Sequence, residues 1–183
     1  MTSNTGKIFK GLAKRHHLSL ITDAPSHELS PDKNSLLVNR FARDLFTVHG
    51  LIYNREFRVI SRQMDLPQPA TRPVSQQLYI ISCPLPTESK AWLLSTGLKD
   101  EPIFGYFRHF FRSEPQQLDG HLLFSLEAET NQRWLPIIGL LPAAANLELS
   151  GQNLNFFVVD SPKDANIMEH QLRLVDQIAA RLG

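Results

Sequence analysis

Apolar and polar positions alternate along several stretches of the chain, and this period-two pattern predicts a sheet. In "LIYNREFRVISRQM", Phe57 and Val59 alternate with Arg58, Ile60 and Arg62, which predicts a half-buried strand. The stretch "QQLYIISCPLPTESKAWLLS" admits two readings. Thr87 can cap a short helix from Glu88, but Trp92, Leu93 and Leu94 would then point three ways round its axis. As strands, Leu78 and Ile80 share one face and Tyr79 and Ile81 the other, and Trp92–Leu94 and Ala91–Leu93 divide likewise. Apolar residues on both faces fit a covered sheet centre. The pattern therefore predicts a hairpin folded back around "CPLPTESK", with Pro84 and Pro86 outside the ladder. "DLPQPATRP", with three prolines in nine residues, reads as an irregular connection. Later strand candidates are "GHLLFSLEAE", "RWLPIIGLL" and "NLNFFVVD", with a turn at "ETNQR" and a second hairpin around Ser150–Asn153.

Helical spacing appears elsewhere. In "SLLVNRFARDLFTVHG", Leu37, Phe41, Leu45 and Val48 recur as on one helix face, with Asn34 or Ser35 as cap, an Arg40–Asp44 pair outside and Gly50 as terminator. "EPIFGYFRHFFRSEP" has five aromatics between Phe104 and Phe111; Phe104, Phe107 and Phe111 match a short helix, distorted by Gly105. The chain closes in a helix with Ser161 as cap, Pro162 at its first position and Asp164 as capping acid. Met168, Leu172, Val175, Ala179 and Leu182 form its apolar stripe. The fold class expected is α+β, an antiparallel sheet covered by helices on one side. Residues 1–34 read as a basic, partly mobile arm and loop, and residues 35–183 as a single domain.

Composition changes little in this picture. The 183 residues suffice for one domain with a sizeable core, and 42% are apolar. The 19 basic and 18 acidic side chains give no global affinity for polyanions. Local charge is more informative. Lys7, Lys10, Lys14 and Arg15 lie in a stretch with no acid, next to Ile8, Phe9 and Leu12. No apolar run nears the ~20 residues of a membrane span, and no signal core is visible. A lone cysteine, Cys83, excludes an internal disulfide. A cytoplasmic location is expected.

The order helix, strand, hairpin, short helix, hairpin resembles the chorismate pyruvate-lyase family and the related UTRA ligand-binding domains. The likeness covers residues 34–143. It is carried by "NSLLVNRFARDLF" with "FRVISRQ", by "QQLYIISCPLPTESKAWLLSTGL", by "DEPIFGYFRHFF" and by "LLFSLEAETNQRWLPIIGLLPA". It implies a pocket in which a hairpin arginine holds a carboxylate and a buried glutamate supplies a proton. Here the arginine position falls at Gln76 or Gln77 and the glutamate position at Gly139, so the resemblance implies loss of lyase chemistry.

Other constellations point to no catalytic residue, metal site or cofactor. The histidines lack zinc-site spacing and read as surface or helix-end residues. Cys83 has no neighbouring base and reads as inert. Glu127, Glu129 and Asp119 lie near one strand, and paired carboxylates can hold a metal for nuclease chemistry, but the lysine expected after them is missing, and Glu127 and Glu129 share a face as on the solvated side of an edge strand. No glycine-rich phosphate loop or GxSxG is present. The expected function is a non-enzymatic binding or adaptor domain acting on a protein partner through Lys7, Lys10, Lys14, Arg15, Phe107 and Phe110. The alternative is a binder of, or lyase-like enzyme on, a small aromatic carboxylate, with Arg58, Arg62 and Gln77 as anchors. Nucleic-acid binding through residues 7–17 is less favoured and predicts affinity that falls steeply with salt.

Overall fold

A computed structural model describes residues 4–25, 35–38, 42–67, 72–111, 113–125 and 130–183. Helix α1 (Asn4–His16) leads into strands β1 (Ser19–Pro25), β2 (Ala42–Ile52), β3 (Arg55–Leu66) and β4 (Val74–Ser95). A 3-10 turn (Thr96–Asp100), helix α2 (Pro102–Arg108), strands β5 (Gln116–Leu118) and β6 (His121–Ser125) and helix α3 (Thr130–Ile138) follow. Strand β7 (Asn146–Val159) and helix α4 (Ala165–Leu182) complete the chain. The seven strands form one antiparallel sheet in the order β1-β2-β3-β4-β6-β5, with β7 paired to β4. The α+β class is as expected.

The stretch from Val74 to Ser95 is strand throughout and not a hairpin. It does not reverse because β7 runs beside it almost end to end, from Leu78↔Val159 to Leu93↔Leu147. Along its other edge two neighbours follow in turn. β3 covers Val74 to Ser82, and β6 covers Ala91 to Ser95. Pro84 and Pro86 fall in the gap between them on this edge, where a missing N–H breaks no bond to β3 or β6, although Pro84 still pairs with Asn153 of β7. At this gap, residues 85–88 stand opposite Gln152 alone. The hairpin expected around Ser150–Asn153 is likewise one strand. It bends at Gly151, whose φ of +57° suits a residue without a Cβ. The bend brings the two limbs of β7 together: Asn155 Nδ2 donates to Glu148 at 2.8 Å, and Asn146 Nδ2 to the Phe157 carbonyl at 3.2 Å.

Residues 42–52 are strand where a helix was expected. A bulge between Asp44 and Phe46 adds one residue to β2. Ala42 joins the core on one face, whereas Val48 and Ile52 join the core on the other. This phase change turns a period of two into a spacing that imitates a helix. Asp44 pairs with Arg62 of β3; Phe41 and Arg40 lie outside the described residues. β2 returns into β3 through Tyr53 and Asn54, both at positive φ (53° and 61°), as a two-residue hairpin turn requires. "RWLPIIGLL", expected as a strand, belongs to α3, with Trp134, Ile137 and Ile138 buried. Of the described residues of "GHLLFSLEAE", 121–125 are strand, and Glu127 and Glu129 lie outside the described set.

Both faces of the sheet are covered, which corrects the one-sided arrangement. On one face α1, α3 and α4 bury Phe9, Leu12, Trp134, Leu172 and Val175 against Val48, Val59, Ile81 and Phe156. On the other, Phe107 of α2, Leu98 of the 3-10 turn and Leu37 pack on Ile60, Leu78, Ile80 and Phe157. The N-terminal segment is therefore no solvated arm. Ile8, Phe9, Leu12 and Ala13 enter the core, and α1 ends in a left-handed turn at His17 (φ 54°) with Leu18 N–H donating to the Ala13 carbonyl at 2.8 Å. α4 carries the expected stripe in full, and its cap is Asp164, which accepts from the Asn166 and Ile167 amides.

Tyr79 lies fully inside the first core, and its hydroxyl has no hydrogen-bond partner among the described residues. Burial, reinforced by the nearby Glu169 charge, pushes the phenol well above its usual range. Tyr79→Phe removes an unsatisfied buried group and keeps the ring. It is expected to raise the unfolding free energy by about 1 kcal/mol in urea titration. A loss of stability would show that the hydroxyl is bonded in solution.

Candidate functional site

The two-faced pleat decides which side chains can meet. Arg58 and Arg62 project with Ile60 toward the α2 face of β3. Gln77 of β4 projects to the opposite face, where its Nε2 donates to Ser61 Oγ at 2.9 Å. The three anchors expected for a carboxylate therefore do not converge. Arg62 is also occupied: 2% exposed, it holds Asp44 through Nε at 2.5 Å and Nη2 at 3.0 Å, and it donates to the Leu37 carbonyl at 2.7 Å. Its role is structural. Gln76 holds helix α2, accepting from the Ile103 amide at 3.0 Å and donating to Glu101 at 2.5 Å.

Sequence reasoning passed over Glu148. It is wholly buried on the α2 face of β7, inside the bend. Its carboxylate accepts from Trp92 Nε1 (3.0 Å), the Leu36 amide (2.7 Å), Asn155 Nδ2 (2.8 Å) and, very closely, Ser35 Oγ. Burial pushes its pKa up, and these four bonds pull it back only in part. The alternation in "NLELS" places a glutamate between two leucines on a strand, and that was the available signal. Apart from Asn155 on the same strand, its partners lie on β4 and on residues 35–36, far away in sequence. Glu148 and Arg62 together clasp residues 35–37 onto the sheet.

The residues expected to meet a partner divide. Lys7, Lys10 and Lys14 are exposed along one side of α1, opposite its buried stripe. Arg15 is half exposed and bonded to Glu169 of α4 at 2.9 Å, beside a His16–Glu169 contact of 2.7 Å. Phe107 is 1% exposed and packs edge-on against Phe157, so it is core and not a docking residue. Phe110 is 52% exposed, in edge contact with Tyr106 at 5.2 Å. Phe111 turns inward to stack on Phe124 at 4.0 Å and to meet Trp92 at 5.0 Å.

The clip of α1 to α4 is expected to respond to pH. Partial burial raises the Glu169 pKa, but the bonds from His16 and Arg15 pull further and leave it below the ordinary value. A depressed carboxyl stabilises the fold above the unfolded value of about 4.3 and loses that contribution as pH falls through the folded value. Glu169→Gln is therefore expected to lose less stability than the parent between pH 6 and pH 3. Thermal melts across this range check it, and equal losses would refute it.

Cys83 is buried and unpaired, and burial pushes its thiol up to about 12, which suits an inert residue. His121 departs from the surface reading. It is 3% exposed, with its ring nitrogens 3.3 and 3.2 Å from the Asp119 and Ala145 carbonyls. Among the described residues no group of three His, Cys, Asp or Glu is placed to hold a metal. A cleft of about 200 Å³ lies between the 3-10 turn and β7, lined by Ser95, Leu98, Glu101 and Asn146. A smaller crevice of about 110 Å³ lies beside Arg58, Ser82 and Asn153. Both are below the usual size of a site for a drug-sized ligand. No helix of the described residues is long and apolar enough to cross a membrane.

No family model matches the chain, and no curated protein matches its sequence. Within the described residues, three of the four segments that carry the lyase resemblance fold otherwise than it implies: strand from Ala42 for helix, one strand for a hairpin, and strand plus helix for a hairpin. Among solved structures, the chain is similar to the mycobacterial trehalose monomycolate transport factor A, TtfA, with a TM-score of 0.64 and 14% identity over 97% of this chain and 94% of that one. At this identity the likeness establishes a shared α+β fold.

Proposed function

We propose that this chain is a non-enzymatic cytoplasmic adaptor domain that acts through protein contacts. The carrying observation is the aromatic end of α2. Phe110 projects into solvent, yet it is braced by Tyr106, which rests on buried Phe107. An exposed ring on a fixed base loses little entropy when a partner covers it, and aromatic residues dominate binding energy at interfaces. The lysine side of α1 adds a cationic surface that speeds encounter with an acidic partner. The strongest polar groups of the interior, Glu148 and Arg62, are engaged in holding residues 35–37.

Two variants test this reading in quantitative co-purification from the native host. Phe110→Glu is expected to abolish capture of the specific partner, at least a tenfold loss, with Tm within about 2 °C of the parent. Lys7, Lys10 and Lys14 changed together to Glu are expected to weaken capture further at low salt than at high salt. Undiminished capture by both variants would overturn the proposal.

A further inference from the structure

We infer that the α2 face of the sheet holds a second, small site for a carboxylate, built on Arg58, Ser82 and Asn153. Three strands create it. Arg58 of β3 is opposite Ser82 of β4, and Ser82 is opposite Asn155 of β7, so one cross-strand row carries all three side chains to the same face. The row is polar where the next, Ile60–Ile80–Phe157, is wholly apolar. Asn155 commits its amide to Glu148. Arg58 and Ser82 commit nothing: among the described residues neither side chain has a hydrogen-bond or ion-pair partner. Ser82 is only 7% exposed, and Arg58 is half buried.

A guanidinium and a hydroxyl with no protein partner among the described residues are free to bond a ligand that displaces water from the crevice. Here both line the crevice of about 110 Å³, which Glu56, Cys83, Pro84 and Asn153 complete. A planar guanidinium matches a carboxylate with two parallel bonds. The Ser82 hydroxyl and the Asn153 amide supply further donors to the same oxygens. The volume admits a group of a few heavy atoms and no aromatic acid of ordinary size. Glu56, exposed at the rim, opposes a second negative charge, so a monocarboxylate is preferred over phosphate or sulfate. The carboxylate has two sources, a free short-chain acid or the acidic side chain or terminus of a partner. This site is independent of the Phe110 surface and stands or falls apart from it.

Amide and arginine Nε resonances of the whole chain, followed by NMR, provide the test. Sodium acetate titrated to 50 mM is expected to shift Ser82, Cys83, Asn153 and the Arg58 Nε saturably, and inorganic phosphate at equal ionic strength to shift them less. Arg58→Met is expected to weaken binding at least tenfold and Ser82→Ala about threefold, while Arg58→Lys, which keeps the charge, retains part of it and guards against a folding defect. A peptide ending in a free carboxylate that binds tighter than acetate, and loses binding on amidation, assigns the group to a partner; acetate binding without that gain assigns it to a free acid. No saturable shift at 50 mM, equal shifts in Arg58→Met, or shifts centred on Lys7, Lys10 and Lys14 would overturn the proposal.

Discussion

Glu148→Ala is expected to lower the unfolding free energy by about 3–5 kcal/mol. The truncation strands three fixed donors at a largely buried site: the Trp92 indole, the Leu36 amide and the Asn155 amide. Each orphaned donor costs about 1–3 kcal/mol, and relief from burying a carboxylate offsets part of the sum. Glu148→Gln keeps one carbonyl acceptor and is expected to lose about half as much. Urea unfolding measures both, and Trp92 emission should shift to the red as residues 35–36 lose their anchor. The pH signature is opposite to that of Glu169. Because the folded-state pKa of Glu148 is raised, the folded form binds its proton more tightly. Its contribution to stability is therefore greatest below the unfolded value of about 4.3 and declines as pH rises through the folded value. A change below 1 kcal/mol in Glu148→Ala would show that the clasp does not hold the fold.

Asp44→Ala is expected to be as damaging, about 3–5 kcal/mol, because it leaves the Arg62 guanidinium buried without its counter-charge. The two charges are 0% and 2% exposed, so solvent does not replace the lost partner. The informative variant is the double one. Asp44→Val with Arg62→Met removes both charges and both desolvation penalties, and it is expected to recover most of the loss. What remains is the Leu37 carbonyl, which loses its donor, at about 1–3 kcal/mol. A double-mutant cycle in urea measures the coupling. Additive losses would show that the pair does not act as a unit.

Both networks hinge on residues that the pattern of the sequence misplaced. By its spacing Asp44 reads as the outer helix partner of Arg40, and Arg62 as a ligand anchor. The reason is the bulge in β2. One extra residue after Asp44 moves the alternation to the other face, and a local reading cannot separate a phase-shifted strand from a helix. Gln77 groups with Arg58 and Arg62 in the sequence because the alternation marks both strands but not their pairing. The register Gln63↔Gln77 and Arg62↔Leu78 puts Gln77 on the opposite face from the arginines. Phe107 and Phe110 looked equivalent in a run of aromatics, and only the seating of α2 on Phe157 made one core and the other surface.

The sequence by itself determined the elements whose signals are local. These are the alternation of β3, the apolar faces of both halves of β4, the short aromatic helix after a proline, and the capped C-terminal helix with its stripe. It also determined that Cys83 has no local activating base. Each follows from side-chain chemistry within one or two turns of chain. Tertiary structure alone decided that β4 and β7 continue through their proline and glycine signals. Each strand supplies the other with a hydrogen-bonding edge, and that gain outweighs local turn propensity. It alone brought residues 35–36 to Glu148, more than 100 positions away, because a buried carboxylate must find donors wherever the fold provides them.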